Sequence, residues 1–246
     1  MRKLLLTGLF LGLIASIVLS NRTTFAAVIS EGFEGASYDL AGSGAGTASL
    51  ATASSGEVHS GLQSVDLSLT TSSDYARVKL DTSSSNLSLG GITSADYWVD
   101  RTEGAASSQL PYIIFSITTP GSGGDDNTLA VMYNNPISTS GWTDLTVGPS
   151  TEFHVEGDTT GLSSPEGITL SDLASSTYSP GVSWGSFAID FVRIGYGLGG
   201  NDTIASTSFV DDLTINYVPT PEPASLILFG MGAAGILLAA RRRRRR

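Results

Sequence analysis

Between about residue 64 and residue 217 the chain alternates. In Tyr112–Ile117 the apolar Ile113, Phe115 and Ile117 share one face, and Tyr112, Ile114 and Ser116 share the other. Similar short runs recur at Val65–Leu69, Tyr75–Leu80, Ala95–Val99, Thr128–Tyr133, Leu145–Val147, Phe187–Tyr196 and Thr207–Tyr217, separated by clusters of Gly, Ser, Asn and Asp. A period of two, broken by turn residues at this spacing, predicts an all-β chain folded as a β-sandwich. In the last run, Phe209, Leu213 and Ile215 are expected on one face. Leu170–Ala174 reads as a single helical turn with Ser171 as its cap. No internal repeat is evident, and no linker is long enough to divide the region, so residues 27–218 are expected to form one domain.

The two ends break the pattern. Leu4–Leu19 is an uncharged apolar run behind Arg2 and Lys3, and the small residues that follow suit cleavage after Ala26 or Ala27. Residues 1–26 therefore read as a signal peptide, with an uncleaved N-terminal anchor as the alternative. At the other end, Ala224–Ala240 has no charge and, as a helix, would measure about 25 Å, at the short end of what crosses a bilayer. Pro221 and Pro223 keep such a helix from starting earlier, and Arg241–Arg246 would stay on the cytoplasmic side. On these grounds alone, residues 219–246 read as a transmembrane tail anchor.

Charge sharpens this division. Between Ala27 and Val218 only Arg77, Lys79, Arg101 and Arg193 are basic, against 22 acidic residues, a net of −18. That balance argues against nucleic acid, which requires clustered Lys and Arg; cations and neutral polymers remain compatible. There is no cysteine, but a domain of this size buries enough surface to fold without disulfides.

Pro221-Glu222-Pro223, followed by Ala224-Ser225, a Gly-rich apolar span and a terminal arginine run, closely resembles the PEP-CTERM sorting signal. The resemblance implies export across the inner membrane of a Gram-negative bacterium and transient anchoring there. It further implies handling by an exosortase that cuts near the triplet, and a destination at the cell surface or in an extracellular polysaccharide matrix. A second resemblance covers most of the domain. Glu31-Gly32-Phe33-Glu34 opens it, His59-Ser60-Gly61 leads into the strand at Ser64–Leu69, and Phe209-Val210-Asp211-Asp212-Leu213 begins the last strand. This order is similar to jelly-roll carbohydrate-binding modules and galactose-binding-like domains. It implies a single jelly-roll-type sandwich and a structural Ca²⁺ between first and last strands, held by Glu34, carbonyls around Ser60 and Gly61, and Asp211 or Asp212. Two or three carboxylates with carbonyls suit Ca²⁺, and a carboxylate aimed toward a core requires a partner.

Other chemistry is thinner. Gly121–Asn127 contains Asp125 and Asp126 but lacks the alternation of a cation-binding loop, so it reads as an acidic turn. Gly181-Val-Ser-Trp-Gly185 matches G-x-S-x-G, yet Pro180 precedes it and both histidines, His59 and His154, come earlier in the chain, so no nucleophile elbow is expected. Sugar platforms are sought among Trp98 with Asp96, Trp142 with Asp144, and Tyr112, since an aromatic face stacks on sugar C–H groups while a carboxylate bonds hydroxyls. The commoner fate of such aromatics is the core. The expected function is a non-catalytic, surface-sorted protein that binds extracellular polysaccharide. The alternatives are a secreted polysaccharide hydrolase or lyase and a purely structural surface protein.

Overall fold

The computed structural model describes residues 26–34, 38–52, 57–71, 73–103, 110–120, 127–131, 141–197 and 206–219. Strands form where the alternation placed them: β4 (Gln63–Leu69), β5 (Tyr75–Asp81), β6 (Ile92–Glu103), β7 (Tyr112–Ile117), β8 (Asn127–Val131), β9 (Thr143–Val147), β14 (Ile189–Gly197) and β15 (Ser206–Tyr217). Further strands have weaker signals: β1 (Ala27–Glu31), β2 (Tyr38–Ser43), β3 (Thr47–Thr52), β10 (Glu152–Glu156), β11 (Glu166–Thr169), β12 (Thr177–Ser179) and β13 (Val182–Ser183).

Two large antiparallel sheets result, with β12 and β13 forming a separate two-stranded one. The six-stranded sheet runs β3-β4-β15-β6-β9, with β1 also paired to β15; the seven-stranded sheet runs β11-β10-β8-β7-β14-β5-β2. One face of each sheet turns inward. Val65, Leu67, Tyr97, Val99, Val147 and Ile215 from the first meet Val78, Ile113, Phe115, Phe153, Val192 and Ile194 from the second in one buried core. The molecule is an all-β sandwich and, among the described residues, it has a single short α-helix, α1 (Leu170–Ser175).

Two local expectations need correction. The cap of α1 is Thr169, whose hydroxyl accepts the Asp172 N–H at 3.1 Å; Ser171 is already inside the helix. The sequence pattern also misplaces Phe209. Val210, Leu213, Ile215 and Tyr217 face the core cluster, whereas Phe209 is not a member of it. The reason is a bulge: the register of β15 against β6 shifts between Asp211 and Thr214, and Asp212 takes a left-handed φ of 50°. One extra residue reverses the in–out parity of everything after it.

Gly181–Gly185 forms no elbow. The two-residue β13 runs into a three-residue 3₁₀ turn at Trp184–Ser186, while His59 bonds Asp212 and His154 lies 2.7 Å from Glu166. Residues 1–25, 121–126 and 220–246 lie outside the described residues, and with them the expected signal peptide, acidic turn and tail helix. Among the described residues no helix is long and apolar enough to cross a membrane.

Asp158 ties together one end of the sandwich. Its carboxylate accepts from the Thr160 N–H at 2.9 Å, the Thr160 hydroxyl at 2.5 Å, the Tyr178 hydroxyl at 2.7 Å and the Thr119 hydroxyl at 3.3 Å. Beside it, Tyr178, Trp184 and Phe187 meet edge to face, and the Trp184 indole N–H donates to the Thr160 carbonyl. These bonds, the Thr160 hydroxyl first, hold the Asp158 carboxyl down to about 2. A depressed carboxylate contributes stability above its unfolded value, near 4, and loses that contribution as pH falls through its folded value. Asp158→Asn should therefore lower the melting temperature at neutral pH and flatten its decline between about pH 4 and pH 2, read by thermal melts across that range. A variant with the same acid limb as the parent would remove Asp158 from this role.

Candidate functional site

The bulge in β15 sits at a junction. Residues Ser206–Val210 pair with β4, and Leu213–Tyr217 pair with β1. Asp211 and Asp212 fall between the two partners, opposite Trp98 of β6. A turn at residues 59–62 lies over this gap.

Asp211 is fully buried, and its carboxylate faces that turn. Its Oδ2 accepts the backbone N–H groups of His59 and Ser60, each at 3.1 Å, and its Oδ1 accepts its own neighbour's N–H, from Asp212, at 2.8 Å. Burial pushes its pKa up, while these N–H bonds oppose that shift. Asp212, half-buried beside it, accepts the Ser60 hydroxyl at 2.7 Å and lies 2.7 Å from His59 Nδ1. The Leu62 N–H donates to Glu34. Gly61 adopts φ +66°, and a Cβ there would run into the Glu34 carboxylate, so only glycine fits this turn. Phe33 is the buried anchor of the same segment, its ring edge-on to Tyr38 at 5.6 Å. The three motifs at residues 31–34, 59–61 and 209–213 thus meet in space.

All five residues named for calcium, Glu34, Ser60, Gly61, Asp211 and Asp212, are at this junction. As arranged, their carboxylates face N–H and O–H donors. Among the described residues no group of three or more His, Cys, Asp or Glu side chains is disposed to hold a metal ion.

The turn also positions His59. Its imidazole stacks on Trp98, with ring centroids 3.8 Å apart and planes 14° from parallel. Trp142 is a further ring neighbour of His59, with centroids 5.5 Å apart and planes tilted by 59°. Both indoles are half-buried. Asp144 pairs in register with Trp98 across β6 and β9, and Asp96 is two residues from Trp98 on the same strand face. Asp144 is exposed and its pKa is raised, first by partial desolvation, then by Asp96, with His59 acting in the opposite direction. Trp98, Trp142, Asp96 and Asp144 therefore form one outward patch on the six-stranded sheet. Tyr112 does not join them; it lies on the seven-stranded sheet, where its hydroxyl donates to the Gly197 carbonyl at 3.2 Å. Sequence reasoning did not assign His59 to the patch. Its only signal was the His-Ser-Gly turn, because its contact with Trp98 is made through folding.

A cleft of about 680 Å³ opens elsewhere, where the chain leaves β15, lined by Leu89, Gly90, Leu170, Ala174, Ser183 and Val218 among others. Its lining contains no titratable side chain.

Residues 219–245 match the PEP-CTERM protein-sorting motif. The tail is a sorting signal. This motif implies export, transient anchoring in a membrane and processing by an exosortase, and it accounts for the Pro-Glu-Pro triplet and the arginine run read above. A comparison with curated proteins finds no match. Among solved structures, the chain is similar to a family 11 carbohydrate-binding module from Clostridium thermocellum bound to a β-1,3-1,4-mixed-linked tetrasaccharide, at 12% identity and a TM-score of 0.46, covering 77% of this chain and 94% of that one. It is similar to the CBM22-1 xylan-binding domain from Paenibacillus barcinonensis, at 12% identity and a TM-score of 0.47, covering 80% and 97%. It is also similar to the K1 cleaved adhesin domain of Lys-gingipain from Porphyromonas gingivalis, at 14% identity and a TM-score of 0.39, covering 77% and 97%. What the chain does has to be argued from its own side chains.

Proposed function

We propose that the chain is a non-catalytic protein of a Gram-negative cell surface, sorted by an exosortase, whose sandwich binds extracellular polysaccharide through the Trp98–His59–Trp142 patch. One observation carries this reading: three aromatic rings are gathered on an outward sheet face, with two carboxylates beside them. Sugars present C–H groups on their ring faces and hydroxyls at their edges. Indole rings suit the first, and Asp96 and Asp144 accept from the second. The His59–Trp98 stack, fixed from below by Asp211 and Asp212, makes the patch rigid, which lowers the entropic cost of binding.

Affinity electrophoresis of the chain through gels containing neutral polysaccharides tests the reading. Retardation should fall about tenfold in affinity for Trp142→Ala, the scale expected for a lost aromatic stack. Unchanged mobility in every polymer would leave a purely structural surface protein. Polymer cleavage has one observation in its favour, the neighbouring carboxylates of Asp96 and Asp144 with the latter's pKa raised. Such a pair acts as acid and base only when held about 5–9 Å apart around a bond. Release of reducing ends that disappears in Asp144→Asn would establish hydrolysis in place of binding.

Calcium belongs to the same proposal, as a clamp between β1 and β15. Asp211 and Glu34 would supply carboxylate oxygens and residues 60–61 their carbonyls, with Asp212 turned from Ser60 toward the ion. Millimolar Ca²⁺ should then raise the melting temperature by roughly 5–10 °C at a hundredfold excess over Kd, and Asp211→Asn should abolish most of that rise. Identical melts in Ca²⁺ and chelator would assign these carboxylates to hydrogen bonding alone.

Sorting is tested in cells. Replacing Pro221, Glu222 and Pro223 by alanine should leave the protein exported but retained in the membrane fraction, because the extended backbone that a membrane protease can grip is lost. Normal release of that variant would count against exosortase processing at the triplet.

A further inference from the structure

The outer face of the six-stranded sheet is acidic well beyond the two carboxylates at the aromatic patch. Val65, Leu67, Val99 and Leu145 belong to the core, so Asp66 on β4, Asp100 on β6 and Asp144 on β9 point outward, as do Asp96 and Trp98. Asp66 and Asp100 both pair in register with Phe209, one from each neighbouring strand, and Asp144 pairs with Trp98. Arg77, Lys79 and Arg193 are on the other sheet. Arg101 is beyond Asp100 on β6, opposite Ser208 in the register. His59, the basic side chain at the patch itself, already has Asp212 at 2.7 Å.

Gathering like charges on one face costs self-repulsion. Asp144 shows it: desolvation and then the Asp96 charge push its carboxyl up, with His59 acting the other way. Asp96 accepts the Ser94 hydroxyl at 3.2 Å. Asp144 forms no ion pair with any described residue. Side chains directly opposite each other across two strands have Cβ atoms about 5 Å apart, which sets the Asp144 carboxylate beside the Trp98 indole. Packed sheets are about 10 Å apart, and the screening length at physiological ionic strength is about 8 Å. The cations on the far sheet therefore do little to neutralise this face.

We propose that the aromatic patch prefers an amine-bearing polysaccharide, a polymer of hexosamine units with free ammonium groups. The inference rests on the reading of the patch as a sugar site and names the ligand class of that site. An equatorial amine projects in the plane of its sugar ring. A sugar stacked on an indole face therefore directs its ammonium sideways, toward Asp96 and Asp144. A hydrogen bond from ammonium to carboxylate is stronger than one from a hydroxyl, and the indole faces themselves attract a cation. A neutral polymer would use the rings and give the carboxylates only hydroxyls, and an anionic polymer would be repelled. A metal ion is a poor fit, because among the described residues no group of three or more acidic or His side chains is disposed to hold one.

The test is a tryptophan-fluorescence titration of the full chain, in a non-ionic detergent without a sugar headgroup. It is run at about pH 6, below the usual range of an amine and above that of a carboxylate. Trp184 is fully buried, so quenching reports on Trp98 and Trp142. The probes are the β-1,4-linked tetramer of glucosamine, its fully N-acetylated counterpart, and tetralysine. The glucosamine tetramer should bind about tenfold more tightly than the N-acetylated one. Asp96→Asn/Asp144→Asn should bring the two affinities within about twofold of each other, whereas Trp142→Ala should weaken both about tenfold. A melting temperature within a few degrees of the parent shows that the double variant is folded; if it is not, Asp144→Asn alone, at an exposed position, is read. Equal affinity for the two tetramers would overturn the proposal and leave sugar binding at the patch intact. Quenching by neither tetramer would overturn both. Equal affinity for tetralysine and the glucosamine tetramer would also overturn it, because it would show plain charge attraction without sugar recognition.

Discussion

The buried carboxylate of Asp211 holds together stretches of chain 151 and 152 residues apart, and the outer surface of the six-stranded sheet is organised around it. Strand β15 has two neighbours on one edge, β4 for its first half and β1 for its second. Where one ends and the other begins, β15 would expose unpaired backbone. The bulge at Asp211–Asp212 falls at that point, and the turn at residues 59–62 closes over it. Its N–H groups would be orphaned there, a cost of about 1–3 kcal/mol each, and the carboxylate of Asp211 accepts two of them. A neutral side chain of similar shape has fewer acceptor lone pairs, which gives a physical reason for tolerating a charge at a fully buried position.

The same bonds set the position of His59. With its backbone held by Asp211 and its ring by Asp212, the imidazole has little freedom except to lie on Trp98. A stack of this kind formed by a free loop would cost rotamer and backbone entropy on every encounter with a ligand. Formed over a buried carboxylate, that ordering is complete before any ligand arrives. Rigidity at the surface is thus inherited from satisfaction of backbone groups beneath it.

This layering explains what could be read from the sequence. The pattern in β7 is legible because every inward position is large and apolar. Strands β2 (YDLAGS) and β3 (TASLAT) were not legible, because each is the edge of its sheet and is mostly exposed, so small residues suffice. The face of Phe209 was misread because a bulge of one residue leaves no hydrophobic trace. Asp212 tolerates the left-handed conformation that the bulge uses, as Asp often does. Trp98, Asp96, Trp142 and Asp144 could be paired along their own strands by alternation, but their convergence depends on β6 lying beside β9. Tyr112 satisfied the same local rule and ended on the other sheet. His59 is 39 positions before Trp98 in the chain, and only the closed turn brings the two together.

The two outward faces also show how charge is arranged on this fold. In a domain of net −18, self-repulsion favours dispersing the acids over turns and rims, where water screens them. The few cations are placed differently: they are adjacent on β5 and β14, and an aromatic ring is positioned to accept two of them. Because alternate strand positions point away from the core, neither arrangement disturbs the packing of Val78, Ile194 or Tyr97 on the inner faces. The inner faces specify the sandwich and the outer faces are left free to differ. One sheet presents aromatic rings with carboxylates, and the other sets Arg77, Lys79 and Arg193 among Asp39, Asp81 and Glu156 around the Phe191 ring, so the chemistry on either side is decided by side chains the core does not need.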